Sequence, residues 1–143
     1  MNIRKLAVGI ALTAAAANAA EDVDLNALPP EQHQGAVTFR SGGIGQAESK
    51  AMQAARSQYS LSLSFYSREA GKTAFTSDVH VSIRSADGSE VLETVSDGPF
   101  LLVNLPRGKY HVVAQALGDA LVRDVTVEGR HVDVNLEWTN APQ

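Results

Sequence analysis

Cysteine is absent from the 143 residues, which excludes disulfides, thiolate metal sites and thiol catalysis. Aromatic residues make up only 6% of the chain, and tryptophan occurs once. Lysine and arginine are also few, 12 against 16 acidic residues, and they form no basic run. A nucleic acid is therefore not expected as a partner, because such partners require clustered positive charge. Without disulfides, the fold must be stable through its apolar core alone.

Long apolar runs are also missing, except near the N-terminus. Residues 6–17 are apolar, follow Arg4 and Lys5, and lead into Ala17-Asn18-Ala19. This arrangement is typical of a secretory signal peptide, and the run is too short to span a membrane. We therefore predict that residues 1–19 are removed on export to a bacterial periplasm, with no membrane attachment afterwards. Without Arg4 and Lys5, 10 basic and 16 acidic residues remain, a net charge of −6.

The rest of the chain divides into three parts by composition. Residues 20–35 are polar, acidic and interrupted by Pro29 and Pro30, which predicts a flexible leader. Residues 36–57 begin with a possible short edge strand and continue with a glycine-rich turn and an alanine-rich helix from about residue 46. We expect the weakly apolar face of this helix to pack on the domain's own sheet. Residues 58–139 form the third part.

The apolar residues of this third part repeat with a period of two. Seven such segments, separated by turn residues at intervals of about ten, predict a mainly β fold. We expect a seven-stranded antiparallel Greek-key sandwich of the transthyretin or immunoglobulin type, with one N-terminal α-helix. The pattern places Ser60, Ser62 and Ser64 on a solvated face, which at a sheet edge could pair with another chain. The pattern also predicts a polar loop at residues 67–72 and a position in the core for Trp138.

Residues 76–138 resemble the carboxypeptidase regulatory-like domain, a transthyretin-like sandwich. The resemblance rests on DVHVSIR, ADG and SDGPFLLVNLPRGKYHVVA, which occur in the order typical of that family. The preceding GGIG, helix and YSLSLSF resemble the leader of small exported bacterial proteins with no assigned activity. In carboxypeptidases this domain carries none of the zinc ligands of the neighbouring catalytic domain. The resemblance therefore implies an accessory or binding module without catalytic residues.

Gly42, Gly43 and Gly45 precede the helix and raise the question of a phosphate-binding loop. Free N–H groups at a helix N-terminus can bind an anion. A P-loop, however, requires lysine and then serine or threonine directly after its last glycine, and here Gln46 follows Gly45. Glu48 would occupy the positive end of the helix dipole itself. We therefore predict a tight turn with close backbone packing.

His80, His111 and His131 lie on predicted strands and could converge on copper or zinc. The sequence has no HxH or HExxH spacing to support a metal centre, so we expect solvated side chains. Ser77, Asp78 and His80 include the residue types of a hydrolase triad. Neighbours along a strand alternate faces, however, and cannot form the required chain of hydrogen bonds.

The sequence thus predicts a non-enzymatic periplasmic accessory or protein-binding module, with no cofactor and with a protein partner of unknown identity. The alternative is a small-ligand or metal-binding protein that uses Gly42, Gly43 and Gly45, or the strands of His80, His111 and His131.

Overall fold

The structure is a computed structural model that describes residues 23–140, and the predicted signal peptide lies outside the described residues. Within that range the chain forms one α-helix and ten strands. In chain order these are β1 (Gln32–Gln34), β2 (Val37–Gly42), α1 (Gln46–Ala55), β3 (Leu61–Glu69), β4 (Lys72–Phe75), β5 (Val79–Ser85), β6 (Glu90–Ser96), β7 (Phe100–Asn104), β8 (Gly108–Ala116), β9 (Asp119–Val127) and β10 (Val132–Asn140). Two 3₁₀ turns, Leu25–Ala27 and Arg56–Gln58, complete the regular structure of this range. The mainly β fold with one helix is confirmed.

The strands form two sheets that enclose one apolar core. The six-stranded sheet has the order β1-β2-β7-β3-β10, and β4 pairs with the second half of β3. The four-stranded sheet has the order β6-β5-β8-β9 and is antiparallel throughout. Side chains at every second position, such as Leu63, Phe65, Val81, Ile83 and Val112, meet between the sheets. The chain is therefore a β-sandwich, and Trp138 lies in its core as predicted.

The strand count and the strand directions differ from the prediction. All seven predicted segments form strands, but β1, β2 and β4 bring the total within residues 23–140 to ten. Strand β10 pairs with β3 in parallel, from Val132 opposite Leu61 to Asn140 opposite Glu69. A seven-stranded, purely antiparallel sandwich is therefore wrong. The period of a strand shows which face is buried, but it does not show which distant strand lies beside it.

The N-terminal segment takes part in the sandwich. Strand β1 pairs with β2, which lies between β1 and β7 and is therefore not an edge strand. The Gln34 side chain donates to the carbonyl of Glu93 on β6 (2.7 Å) and accepts from its N–H (3.0 Å). Arg40 donates to the carbonyl of Pro29. The prediction of a flexible leader does not hold for β1, because its partners come from later parts of the chain.

Helix α1 packs on the outer face of the six-stranded sheet. Met52 and Ala55 form a second apolar cluster with Tyr59 and with Phe100 and Leu102 of β7. The expectation that the helix packs on its own sheet is confirmed.

Two serines of β3 are buried rather than solvated. Ser62 and Ser64 are only 2% and 3% exposed, and β3 lies between β7 and β10. Both the predicted solvated face and the possible pairing of this strand with another chain are therefore wrong. The apolar–polar alternation of β3 is real, but its polar face lies on the side of the sheet that α1 covers.

Candidate functional site

The glycine turn before α1 is closed by an acidic side chain of the helix. Glu48 Oε1 accepts hydrogen bonds from the backbone N–H groups of Gly43 (2.7 Å) and Ile44 (3.2 Å). A bound anion would need these same donors. The carboxylate also lies in the first turn of α1, where the helix dipole favours a negative charge. The carboxylate of Glu48 therefore already occupies the turn, as the sequence predicted.

Close packing explains two of the three glycines of this turn. A Cβ at Gly43 would clash with the ring of Phe100, and a Cβ at Gly42 would lie 2.8 Å from Glu48 Oε1. In the turn between β6 and β7, a Cβ at Gly98 would clash with the backbone of Gly42. The predicted tight turn with close backbone packing is confirmed at Gly42 and Gly43, whereas Gly45 has no neighbour that a Cβ would meet and is favoured by its positive φ of 86°.

The structure does not bring the three histidines together. His80 and His111 lie on the outer face of the four-stranded sheet, where His111 stands opposite Arg84. The four-residue offset between Arg84 and His80 corresponds to about 13 Å along a strand. His131 precedes β10 in the other sheet. Residues 23–140 contain no group of three or more His, Asp or Glu side chains arranged for a metal ion.

His111 borders a shallow groove of about 640 Å³ on the four-stranded sheet. Its Nδ1 lies 2.7 Å from a carboxylate oxygen of Asp124, and both side chains are largely solvated. Arg84 and Lys109 line the same groove. The groove therefore carries basic side chains together with the carboxylate of Asp124.

His131 takes part in a hydrogen-bonded cluster beside the end of α1. Its Nδ1 lies 2.6 Å from the Tyr59 carbonyl oxygen, and its Nε2 lies 2.9 Å from Asp133 Oδ1. Both of these partner atoms are hydrogen-bond acceptors. Ser62 donates to Asp133, not to His131, so these residues do not form the nucleophile–base chain of a hydrolase.

The carboxyl group of Asp133 is held in its charged form by this cluster. Burial raises the pKa of Asp133, but hydrogen bonds from Ser62 and His131 and the nearby charges of His131 and Arg56 together outweigh it. The pKa of Asp133 therefore lies below its ordinary value.

A small pocket of about 260 Å³ lies on the other side of His131. We call it the arginine pocket, because Arg107 from the β7–β8 turn and Arg130 from the β9–β10 turn line it. Ser57 and Gly129 are also among its lining residues.

An exposed apolar surface, which we call the β4 patch, comprises Ile44, Tyr66 and Phe75. The Phe75 ring is centred 5.3 Å from the ring of Tyr66 and 5.3 Å from that of buried Phe100. Phe75 is nevertheless 52% exposed, and Ile44 is 64% exposed. Ile44 and Phe75 line one depression of about 230 Å³ with Pro99. The glycine turn thus presents Ile44 beside the aromatic pair.

Strand β4 has one free edge beside this patch. The N–H of Thr76 donates to the carbonyl of Phe65 on β3 (3.0 Å), which fixes the alternation of hydrogen bonds along β4. Ala74 therefore bonds to β3, while the N–H and C=O groups of Thr73 and Phe75 point away from it. Within residues 23–140, β4 pairs with β3 alone.

The sequence prediction missed this surface. Residues 67–72 are polar and were predicted to form a loop, although they contain the end of β3 and the start of β4. In addition, β4 is exposed at all four positions, so it shows no apolar alternation. The remaining signal was Phe75, an aromatic residue isolated between polar ones.

No protein-family model and no curated protein matches the chain. The Bacillus anthracis TIE protein matches 57% of this chain at 13% identity with a TM-score of 0.42. BcpA, the major pilin subunit of Bacillus cereus, matches 55% of it at 16% identity with a TM-score of 0.38. The matches span 17% and 27% of those two chains.

None of the helices of residues 23–140 is both long enough and apolar enough to cross a bilayer.

Proposed function

We propose that this protein is a non-enzymatic periplasmic module that binds an extended segment of a partner protein at the free edge of β4. The observation that carries the proposal is the exposed β4 patch beside an edge whose backbone groups face no neighbouring strand of residues 23–140. Half-exposed aromatic and aliphatic side chains at an open sheet edge combine the two features that recognise an added strand.

Hydrogen-bond complementarity favours an extended partner over a helical one. Thr73 and Phe75 together present two N–H and two C=O groups on one line, and an extended chain offers matching groups at every second residue. A helix uses its backbone groups internally and cannot supply them. Because β4 is four residues long, the bound part of the partner is short.

Side chains around the edge define the partner's composition. Phe75, Tyr66 and Ile44 favour apolar residues on the face that they share. Lys72, at the start of β4, favours an acidic residue at that end of the added strand. We therefore propose an extended apolar segment with one acidic residue. A charged residue such as Lys72 on an edge strand also limits indiscriminate pairing.

Export and family membership belong to the same proposal. The signal-like residues 1–19 support a periplasmic location, and SDGPFLLVNLPRGKYHVVA supports the carboxypeptidase regulatory-like, transthyretin-like family with its Greek-key connections. An accessory role in that family agrees with a binding surface that uses no cofactor.

The test introduces a photo-crosslinking residue at position 75 of the protein and, in a separate control variant, at position 122. Val122 is also exposed, but it lies on β9 in the other sheet. The segment crosslinked from periplasmic extract by position 75 and not by position 122 is then synthesised as a peptide. Its dissociation constant is measured with the wild type and with variants of β4.

Thr73→Pro should raise the Kd of that peptide about tenfold or more, because proline removes a backbone donor on the free edge. Thr73→Val keeps the donor and should leave the Kd within about twofold. Phe75→Ser should weaken binding about as much as Thr73→Pro, as expected for an aromatic anchor. A peptide bound equally by Thr73→Pro and the wild type would contradict strand addition. Unchanged melting of each variant confirms that its fold is intact.

A further inference from the structure

We propose that the arginine pocket binds a small oxyanion, a phosphoryl or carboxylate group held by Arg107 and Arg130. The inference goes beyond the proposed function, because the pocket and the β4 patch lie toward opposite ends of β3. Leu61 at one end pairs with Val103, just before the turn that carries Arg107, and Glu69 at the other end pairs with Lys72.

The charge of the pocket is the first argument. Two arginines, Arg107 and Arg130, line it, and none of its lining residues is acidic. The chain as a whole carries a net charge of −4, so this concentration of positive charge runs against its composition. Neither arginine forms an ion pair with any acidic residue of the described part of the chain. Their guanidinium donors are therefore available to a ligand.

Two turns place the arginines at this end of the sandwich. The Tyr110 hydroxyl donates to the Pro106 carbonyl (2.7 Å) and so braces the turn that carries Arg107. The guanidinium of Arg107 lies against Gly129, where an added Cβ would be only 3.0 Å from Nη2. The missing side chain at Gly129 thus leaves room for the guanidinium of Arg107.

Two further residues, His131 and Ser57, complete the lining. Both ring nitrogens of His131 are engaged by Tyr59 and Asp133, so the arginines and not the imidazole are the donors proposed for the oxyanion. Ser57 also lines the pocket, and its hydroxyl is a neutral donor. The planar fork of a guanidinium matches the paired oxygens of a carboxylate or a phosphoryl group. A volume of about 260 Å³ suits a small ligand of this kind.

The test is an NMR titration of the protein with inorganic phosphate and, separately, with succinate at constant ionic strength. The proposal predicts saturable shifts of the backbone amides of Gly129, Arg130 and His131 with at least one probe. Saturation by phosphate alone assigns a phosphoryl ligand, saturation by succinate alone assigns a carboxylate, and saturation by both supports the shared oxyanion chemistry. If neither probe saturates these shifts below about 10 mM, the proposal is overturned.

Variants separate a formed site from general charge. Arg107→Gln and Arg130→Gln should each raise the Kd of the responding probe about tenfold or more, since each removes one charged hydrogen-bonding partner. Arg123→Gln makes the same change of charge on β9 and should alter the Kd less than about twofold. Equal weakening by all three variants would show nonspecific attraction and overturn the site. The folding control is that the amide resonances of each variant, outside the β7–β8 and β9–β10 turns, superimpose on those of the wild type.

Discussion

Glu48 determines what the glycine turn can do. Its carboxylate accepts hydrogen bonds from two backbone N–H groups that would otherwise point out of the turn. One of these N–H groups belongs to buried Gly43. A buried donor without an acceptor costs more free energy than the hydrogen bond itself contributes. One acidic side chain thus both stabilises the turn and removes its capacity to bind an anion.

Glu48→Ala should lower the free energy of unfolding by about 1–2 kcal/mol, because it leaves the Gly43 and Ile44 donors without their acceptor. Glu48→Gln keeps an acceptor oxygen and should lose about half of that or less, mainly the favourable charge at the helix N-terminus. Urea unfolding at neutral pH measures both. Lys50→Ala, an exposed change on the same helix, is the matched control and should stay within about 0.5 kcal/mol. Equal stability of Glu48→Ala and Lys50→Ala would refute the capping role.

Helix α1 is attached to the sandwich through few large side chains. Its alanines bury little area, so Met52, which is fully buried against Phe100 and Leu102, supplies most of the apolar contact. A ten-residue helix is also too short to be stable by itself in water. The helix should therefore depend on this one residue.

Met52→Ala should destabilise the protein by about 2–3 kcal/mol, from lost burial and the cavity that remains. Gln53→Ala lies on the exposed face of the same helix and should change stability by less than about 0.5 kcal/mol. Thermal and urea unfolding, followed by circular dichroism, compare the two. A loss below about 1 kcal/mol for Met52→Ala would mean that the helix is held by other contacts.

The elements that the sequence predicted are those with at least one buried face. β5 and β8 alternate between buried and exposed positions, and their period of two was visible. β1 and β4 are exposed at every position, so no alternation marks them. The parallel pairing of β10 with β3 joins residues 71 positions apart, such as Ser62 and Asp133, and local patterns do not encode it.

The difference between local and distant contacts also separates the glycine turn, which could be predicted, from the β4 patch and the arginine pocket, which could not. The closed glycine turn was predictable, because Gln46 and Glu48 lie within a few residues of it. The β4 patch required the fold, since it combines Ile44 of one turn with Tyr66 and Phe75 of a hairpin. The arginine pocket likewise joins two turns that are distant in sequence, and the arginines carry no local motif.

At the scale of the whole molecule, the two sheets are tied together at both sides. Gln34 bonds to the backbone of Glu93 at one side, and the indole N–H of Trp138 donates to the Asp119 carbonyl (3.1 Å) at the other. These bonds satisfy backbone groups of β6 and β9, the outer strands of the four-stranded sheet. The edge of β4 has no such bond within residues 23–140 and adjoins the apolar β4 patch, and the proposed partner site lies there because the two features coincide.

Asp133 links the C-terminal strand to the rest of the molecule and makes global stability depend on pH. Its pKa is lowered in the folded state, because bonds from Ser62 and His131 outweigh the effect of burial. A lowered pKa means that the unfolded state binds the proton more tightly. The stabilisation is therefore complete above the unfolded value of about 3.9 and is lost as the pH falls through the lower folded value.

Asp133→Asn should reduce the free energy of unfolding by about 1 kcal/mol at neutral pH, a modest value because the carboxylate is half exposed. The difference between the variant and the wild type should stay constant from neutral pH to about pH 5 and shrink below about pH 4. Urea unfolding over a series of pH values measures it. Asp124→Asn is the matched control, because Asp124 also contacts a histidine but lies exposed on β9. A pH-independent difference for Asp133→Asn would show that Asp133 stabilises through shape and not through its charge.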